Sequence, residues 1–507
     1  MRYGRLTALA LLVTSLPFVS HAQSLRLTNT TLLEYRGDNQ NGIETDDDYG
    51  VGLNKLYLDG HLDETSAHLQ LDGVFFSREP DLALLGPARP SAYTSEVRLE
   101  RFRLQHDVGQ FSLIAGDSYL QLGRGIALSL RKVDELGLDQ TLQGGNVRWD
   151  GAFATLQAFA GRVNIANLDG VTQKHLEDPY DLLGGARSTF HLGLADFSVH
   201  ALYLRPRIPF APSMGDDYTT LGGAYLDLPL SYRLSLYVEG AVQRYRLAGE
   251  EQEGTAAYAS ADLDLEIVSL LLEGLWLDDF QVAGSFDETL QRRNIYSQPP
   301  TLERFDQEVL DNKDVRGGRA RLSRPFLDGS LVFHLNGMYR QYGPEASAVD
   351  AFHGYGGFEF TYGSSSRWFA SAGYREEVQD GHVIKTMVHG ESDWVQELGG
   401  GYSFQLTVGH ESRTLDARPY VRGTTLFGVD KSELGSLLLE VGYDTFDPTQ
   451  RTLFLAGIVA WRSMDWLQVR AIVGSQRGGI KCIGGVCRDF PAFSGGRLEA
   501  VLYYDLL

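Results

Sequence analysis

FSLIAGDSYLQLGRGIALSLRKVDELGLDQTLQGGNVRWDGAFATLQAFAGR, residues 111–162, decides how the rest of the chain is read. Both ends alternate apolar and polar residues, the period of a half-buried strand. Between them, Gly123 to Gly145 forms a glycine-framed, charge-dense insert. A hairpin needs only two to five loop residues, so this one is far too long to be a simple turn.

Working outward, the same period-2 pattern recurs. Leu331, Phe333, Leu335, Gly337 and Tyr339 alternate with Val332, His334, Asn336, Met338 and Arg340. Tyr402, Phe404, Leu406 and Val408 alternate with Ser403, Gln405, Thr407 and Gly409, and Leu437, Leu439, Val441 and Tyr443 with Leu438, Glu440, Gly442 and Asp444. A soluble sandwich buries its apolar faces against each other. A membrane barrel turns them outward to lipid and lines its lumen with the polar ones. Alternation alone fits both.

Three features favour the barrel. The strands run to ten or more residues, the length a tilted membrane strand needs, where sandwich strands average about five or six. Connections are short at 63–64, 108–110, 150–151, 328–329 and 464–465, and long at 37–50, 79–92, 119–142, 163–182, 207–218, 284–314 and 478–495. Short periplasmic turns and longer extracellular loops are the outer-membrane asymmetry. The last strand, RLEAVLYYDLL, puts Leu498, Leu502, Tyr504 and Leu506 on one face and resembles the assembly signal of bacterial barrels, with Leu where Phe is usual. The expected fold is therefore all-β: a single transmembrane antiparallel β-barrel of about 24 strands (range 20–26), with residues 119–142 a lid or plug insert. Around Glu100 the polar phase of Glu96–Leu104 switches, which predicts a bulge or a rim position. Six tryptophans, Trp149, Trp276, Trp368, Trp394, Trp461 and Trp466, fall near strand ends and suit the interfacial girdles.

Residues 1–22 read as a signal peptide: Arg2 and Arg5, an apolar Leu6–Val13 core, and a Ser20-His21-Ala22 exit. The mature barrel is expected to span 23–507. Losing two Arg and no acid takes the net charge from −21 to −23. Such acidity argues against nucleic acid as a partner. Cys482 and Cys487, the only cysteines, flank a Gly-Gly turn and are expected to form a loop disulfide in an oxidising compartment.

The runs GDSYLQLGRGIALSLRKVDELGLDQTLQGG (116–145) and GSQRGGIKCIGGVCRDFPAFSGGRLEAVLYY (474–504) resemble a family of uncharacterised bacterial outer-membrane β-barrel proteins. The resemblance implies a barrel in the outer membrane of a Gram-negative-type bacterium, and no particular substrate or activity. Its expected partners are outer-membrane lipid and lipopolysaccharide, the barrel-assembly machinery during insertion, and a periplasmic or surface protein not specified by the sequence.

A barrel of about 24 strands is too wide to close on wall side chains alone. The insert carries both charge signs, in Arg124, Arg131, Lys132, Asp134, Glu135 and Asp139. Folded inward, it is expected to meet acids at Glu239, Asp262, Asp264, Glu266, Glu273 and Glu440 and bases at Arg319, Arg321 and Arg340, held by Arg–carboxylate pairs. The alternative is a loop lying over the mouth. A carboxylate-rich lumen, if open, favours cations. His389, Glu391 and Asp393 share one strand face near Lys385, but neighbours two apart sit about 7 Å apart, which reads as lumen lining and not as a metal site. No cofactor is expected. The chain lacks GxSxG, HExxH, CxxC and P-loop motifs, so no enzyme is expected. Asp46, Asp47 and Asp48 do not match an EF-hand. The leading expectation is a channel or transport/export pore; the alternative is a non-conducting surface or scaffold barrel presenting its loops to a partner.

Overall fold

In the computed structural model, described residues run from 24 to 506, apart from 41, 43–46, 79–92, 170–174, 209–215, 288–291, 304–312 and 484–485. The leader at 1–22, the 79–92 loop and Asp46 lie outside them.

Twenty-four antiparallel strands form one closed wall. Each pairs with the next in sequence, and the first, Ser24–Arg36, pairs both with Tyr49–Leu62 and with the last, Phe493–Asp505. Closure leaves no edge, which a chain in hydrocarbon requires. The expected count, topology and all-β class are those observed.

The faces are inverted relative to a soluble sheet. Along Leu331–Tyr342, outward Phe333, Leu335 and Tyr339 are 46%, 61% and 43% exposed, while inward Asn336, Met338 and Arg340 are 3%, 6% and 1% exposed. Outward Trp276, Trp368 and Trp466 add to this apolar belt. Leu335 sits mid-strand on it, so Leu335→Arg is expected to cost about 2–4 kcal/mol of folding stability. Reversible urea unfolding in phospholipid vesicles measures this.

The expected phase switch in the fourth strand, Glu96–Val108, is a bulge. Gln70 pairs with Arg101 and Leu71 with Leu99, which leaves Glu100 as the extra residue. Glu100 and Arg101 are thereby both buried inside.

Inward residues are not equally dry along each strand. On Glu250–Asp264, Tyr258 is buried, Ser260 half-buried, and Asp262 and Asp264 exposed. On Leu234–Leu247, Gln243, Ala241, Glu239 and Tyr237 are all buried, and Ser235, nearest the short turn, is exposed. The loop-side half of the lumen in this sector is filled; the turn-side half is wet.

Candidate functional site

What fills the loop-side half comes from two stretches of chain. One is the insert between the fifth strand, Phe111–Ser118, and the sixth, Leu138–Asp150. It folds as a short hairpin, Leu120–Leu122 against Leu128–Leu130, and ends in a single 3-10 turn, Asp134–Leu136. The other, residues 279–303, follows the thirteenth strand, Ser269–Asp278, and holds a hairpin of Ala283–Asp287 against Arg292–Ile295. Leu120, Leu122, Ile126, Leu128 and Leu130 of the insert and Phe280, Val282, Tyr296 and Leu302 of the second stretch form one apolar core. The wall joins that core through Leu202, Leu204, Leu221, Leu275, Leu277 and Tyr342. The inner wall here is therefore apolar, contrary to the expected polar lining. Protein covers it instead of water, so apolar residues are the stable choice.

Polar contacts fix the packing. Ser129 N donates to Tyr296 O at 2.7 Å, and Gln298 N to Gly125 O at 2.7 Å. Arg131 Nε donates to Gln298 Oε1 at 2.6 Å. On the wall, Glu239 Oε2 accepts from the Arg124 backbone N at 2.8 Å and from Tyr237 Oη at 2.6 Å. Gly123 lies so close that a Cβ there would collide with this carboxylate, and its φ of 55° is also a glycine conformation. The Arg124 guanidinium lies 4.1 Å from the Tyr237 ring centre and donates to Tyr258 Oη at 3.1 Å and Ser260 Oγ at 3.0 Å. This solvent-exposed cation is thus held by ring faces and hydroxyls, where an Arg–carboxylate pair was expected.

Asp181, fully buried, ties the second stretch to the wall. Its Oδ1 accepts from Ser285 Oγ at 2.5 Å and Arg207 N at 2.9 Å; its Oδ2 accepts from Ser285 N at 2.8 Å and Tyr296 Oη at 2.6 Å. Burial, followed by the Asp181 charge and hydrogen bond, pushes the Tyr296 phenol well above its ordinary value.

At the far end of the same stretch, Glu303 Oε1 sits 2.7 Å from His353 Nδ1, and His353 Nε2 sits 2.8 Å from His389 Nε2. Burial raises the Glu303 carboxyl, but the His353 hydrogen bond and charge, with Arg375 and Arg340 behind them, outweigh it and hold the group below the ordinary carboxylate range. A folded-state value below the unfolded one stabilises this anchor above the ordinary range and is lost as pH falls through the depressed value. The Glu303–His353 anchor is therefore expected to persist at mildly acidic pH and to weaken only below the ordinary carboxylate range, a step that Glu303→Gln removes. Hydrogen exchange of residues 296–303 recorded against pH checks this; deprotection near the histidine range contradicts it.

The remaining residues expected at the site are scattered. Lys132 pairs with Asp134 at 2.9 Å on an exposed part of the insert, and Asp139 accepts from Tyr119 Oη at 3.0 Å. The Glu135 side chain lies outside the described residues. Arg319 lies 3.4 Å from Glu273, Arg321 faces water, and Glu440 accepts from Gln476. Glu266 is in the 265–268 turn, paired with Arg233, not on the wall. Arg340 is buried beside Tyr342, and its Nε and Nη2 have no hydrogen-bond partner. His389, Glu391 and Asp393 lie at alternate positions of the strand His382–Gly399. Glu391 accepts from Ser371 Oγ and Asp393 from Thr407 Oγ1. Among the described residues no three His, Cys, Asp or Glu groups are placed to hold a metal ion. The backbone sets Cys482 opposite Cys487 in the hairpin Gly479–Ile483/Val486–Phe490; their side chains lie outside the described residues.

No family model matches the chain, and no curated protein matches it in sequence. Among solved structures, it is similar to the ferric enterobactin receptor of Pseudomonas aeruginosa in complex with enterobactin, with TM-score 0.50 and 10% identity over 96% of this chain and 82% of that one. It is also similar to the E. coli P pilus tip assembly intermediate, with TM-score 0.51 and 9% identity over 96% of this chain and 61% of that one. A BenF-like porin from Pseudomonas fluorescens gives TM-score 0.41 and 12% identity over 72% of this chain and 95% of that one. At these identities the likeness concerns the fold. Together with the lipid-facing belt, it makes this chain a bacterial outer-membrane β-barrel.

Proposed function

We propose that the protein is an outer-membrane transport barrel closed in its loop-side half by residues 119–137 and 279–303, and that passage requires these two stretches to move. One observation carries the reading: a single apolar core joins both stretches to the inner wall. The wide, wet turn-side lumen beneath it supports a conduit more than a filled scaffold. Its likeness to the ferric enterobactin receptor supports transport as the class of function. Cys482 and Cys487, at paired backbone positions of their hairpin, would staple the last long loop.

A second reading has its own support. Ile126, Leu128 and Val282 are as inaccessible as residues of a soluble core, which suits a permanently closed barrel that presents its loops to a partner. Planar-bilayer recording of the wild type and of a chain without the insert separates the two. Current that rises on removal supports transport; no current from either chain supports the closed scaffold.

A further inference from the structure

Beneath the insert, the wet half of the lumen holds a cavity that the closure does not use. It measures about 640 Å³ and runs from His61 and Asp505, at the short-turn ends of their strands, inward to Arg101 and Thr141. Its size falls within the range of about 300–1,000 Å³ typical of small-ligand sites. Its mouth faces the side of the short turns, which is the periplasm.

The inner end is built, not incidental. Arg101, Asp117 and Thr141 are 2%, 4% and 1% exposed. Asp117 Oδ1 accepts from Thr141 Oγ1 and Asn164 Nδ2, both at 2.8 Å, and its Oδ2 from Phe102 N at 2.8 Å. Arg101 Nη2 donates to Asp139 O at 3.1 Å. The buried Nε atoms of Arg101 and Arg103 have no hydrogen-bond partner. Two phenol rings, Tyr57 and the half-exposed Tyr119, also face the cavity.

The charge decides the ligand class. Four Arg or Lys side chains line the cavity against four Asp. Neither an anion nor a cation gains from that balance. A neutral polyhydroxylated ligand does: each hydroxyl both donates and accepts, so it can use guanidinium N–H groups and carboxylate oxygens placed side by side. The C–H face of a sugar ring also packs on an aromatic face.

We propose that this cavity binds a neutral carbohydrate entering from the periplasmic side. The site deepens the transport reading above and rests on it for its orientation. Tyr119 and Lys132 belong to the insert, so an occupied site touches the closing element directly. The carbohydrate is then the solute, or the signal, that the insert responds to.

Calorimetric titration of the full-length protein in detergent tests this, with maltotriose and cellotriose as neutral probes and trigalacturonate and chitotriosamine as charged ones. Saturable binding of a neutral trisaccharide is expected, with Kd about millimolar or tighter. Tyr119→Ala is expected to weaken it about tenfold, the loss of roughly one ring contact, while Tyr119→Phe keeps most of it. Heat-dependent gel mobility shows that each variant is a folded barrel. The proposal is overturned if neither neutral probe saturates, if only a charged probe binds, or if Tyr119→Ala binds as the wild type does. Binding requires no current. A barrel that binds the probe yet never conducts keeps this site and loses the transport reading; one that conducts without binding does the reverse.

Discussion

Replacing residues 119–137 with a four-residue glycine-serine turn is expected to raise single-channel conductance about tenfold or more over the wild type, since a barrel this wide leaves an aqueous lumen once unfilled. The wall should tolerate the change. Ser118 already pairs with Leu142, and Asp117 with Gln143, in the ladder between the fifth and sixth strands. Removing the insert therefore shortens a hairpin and breaks no strand of the wall. What it does remove is the insert's share of the apolar core: Leu120, Leu122, Ile126, Ala127, Leu128 and Leu130. Leu202, Leu204, Leu221 and Leu275 would then face water, and burial of each such side chain is worth about 1.5–3 kcal/mol. The second stretch loses its bonds to Gly125, Ser129 and Arg131 but keeps Asp181 and His353. Partial relaxation of 279–303 is expected, seen as noisy open states of more than one size. Unchanged, negligible current from a variant with normal heat-dependent mobility would reject the insert as the closing element.

The barrel was legible because lipid imposes period 2 on every strand, and the loop asymmetry survives errors of a residue or two at strand ends. The bulge at Glu100 was legible for the same reason: two consecutive inward residues break the phase. The insert stood out by length and its glycine frame. Residues 279–303 did not, because Phe280, Val282, Tyr296 and Leu302 are spread through a polar stretch with no period of their own. A usable signal lay in the wall opposite. In Asp196–Arg205, Val199 and Tyr203 face out while Leu202 and Leu204 face in; in Ser269–Asp278, Leu272 and Trp276 face out while Leu275 and Leu277 face in. A membrane strand apolar on both faces has lipid on one side and protein on the other. Counting charge signs caught only part of how the insert is held: Asp139 pairs with the wall's Arg101 at 3.5 Å. Arg124 meets rings and hydroxyls, and it is its backbone N–H that Glu239 accepts. Asp181 precedes its strand, where no pattern distinguishes it from a solvated loop acid.

Asp181→Ala is the point change expected to act most strongly. Four donors converge on this carboxylate: Ser285 N, Ser285 Oγ, Arg207 N and Tyr296 Oη. Each buried donor left without an acceptor costs about 1–3 kcal/mol, and only some will find substitutes. A local penalty of about 3–5 kcal/mol follows, the range for breaking a buried charged network. It should fall on the interior stretch and not on the wall, whose ladder contains none of these bonds. At 1.4 kcal/mol per tenfold, even the lower bound raises the open population of 281–298 about a hundredfold, which hydrogen exchange reads directly. Gly284→Ala should behave alike, because a Cβ there collides with Asp181 Oδ2 and the Tyr296 ring. The informative outcome is at a distance. Ser129 N donates to Tyr296 O, and Gly125 O accepts from Gln298 N, so freeing the second stretch should also deprotect residues 125–131 of the insert. Loss of protection at both, with wall strands unchanged, would make the two stretches one cooperative closure. Loss confined to 281–287 would make them independent, and the insert alone would then hold the loop-side half shut.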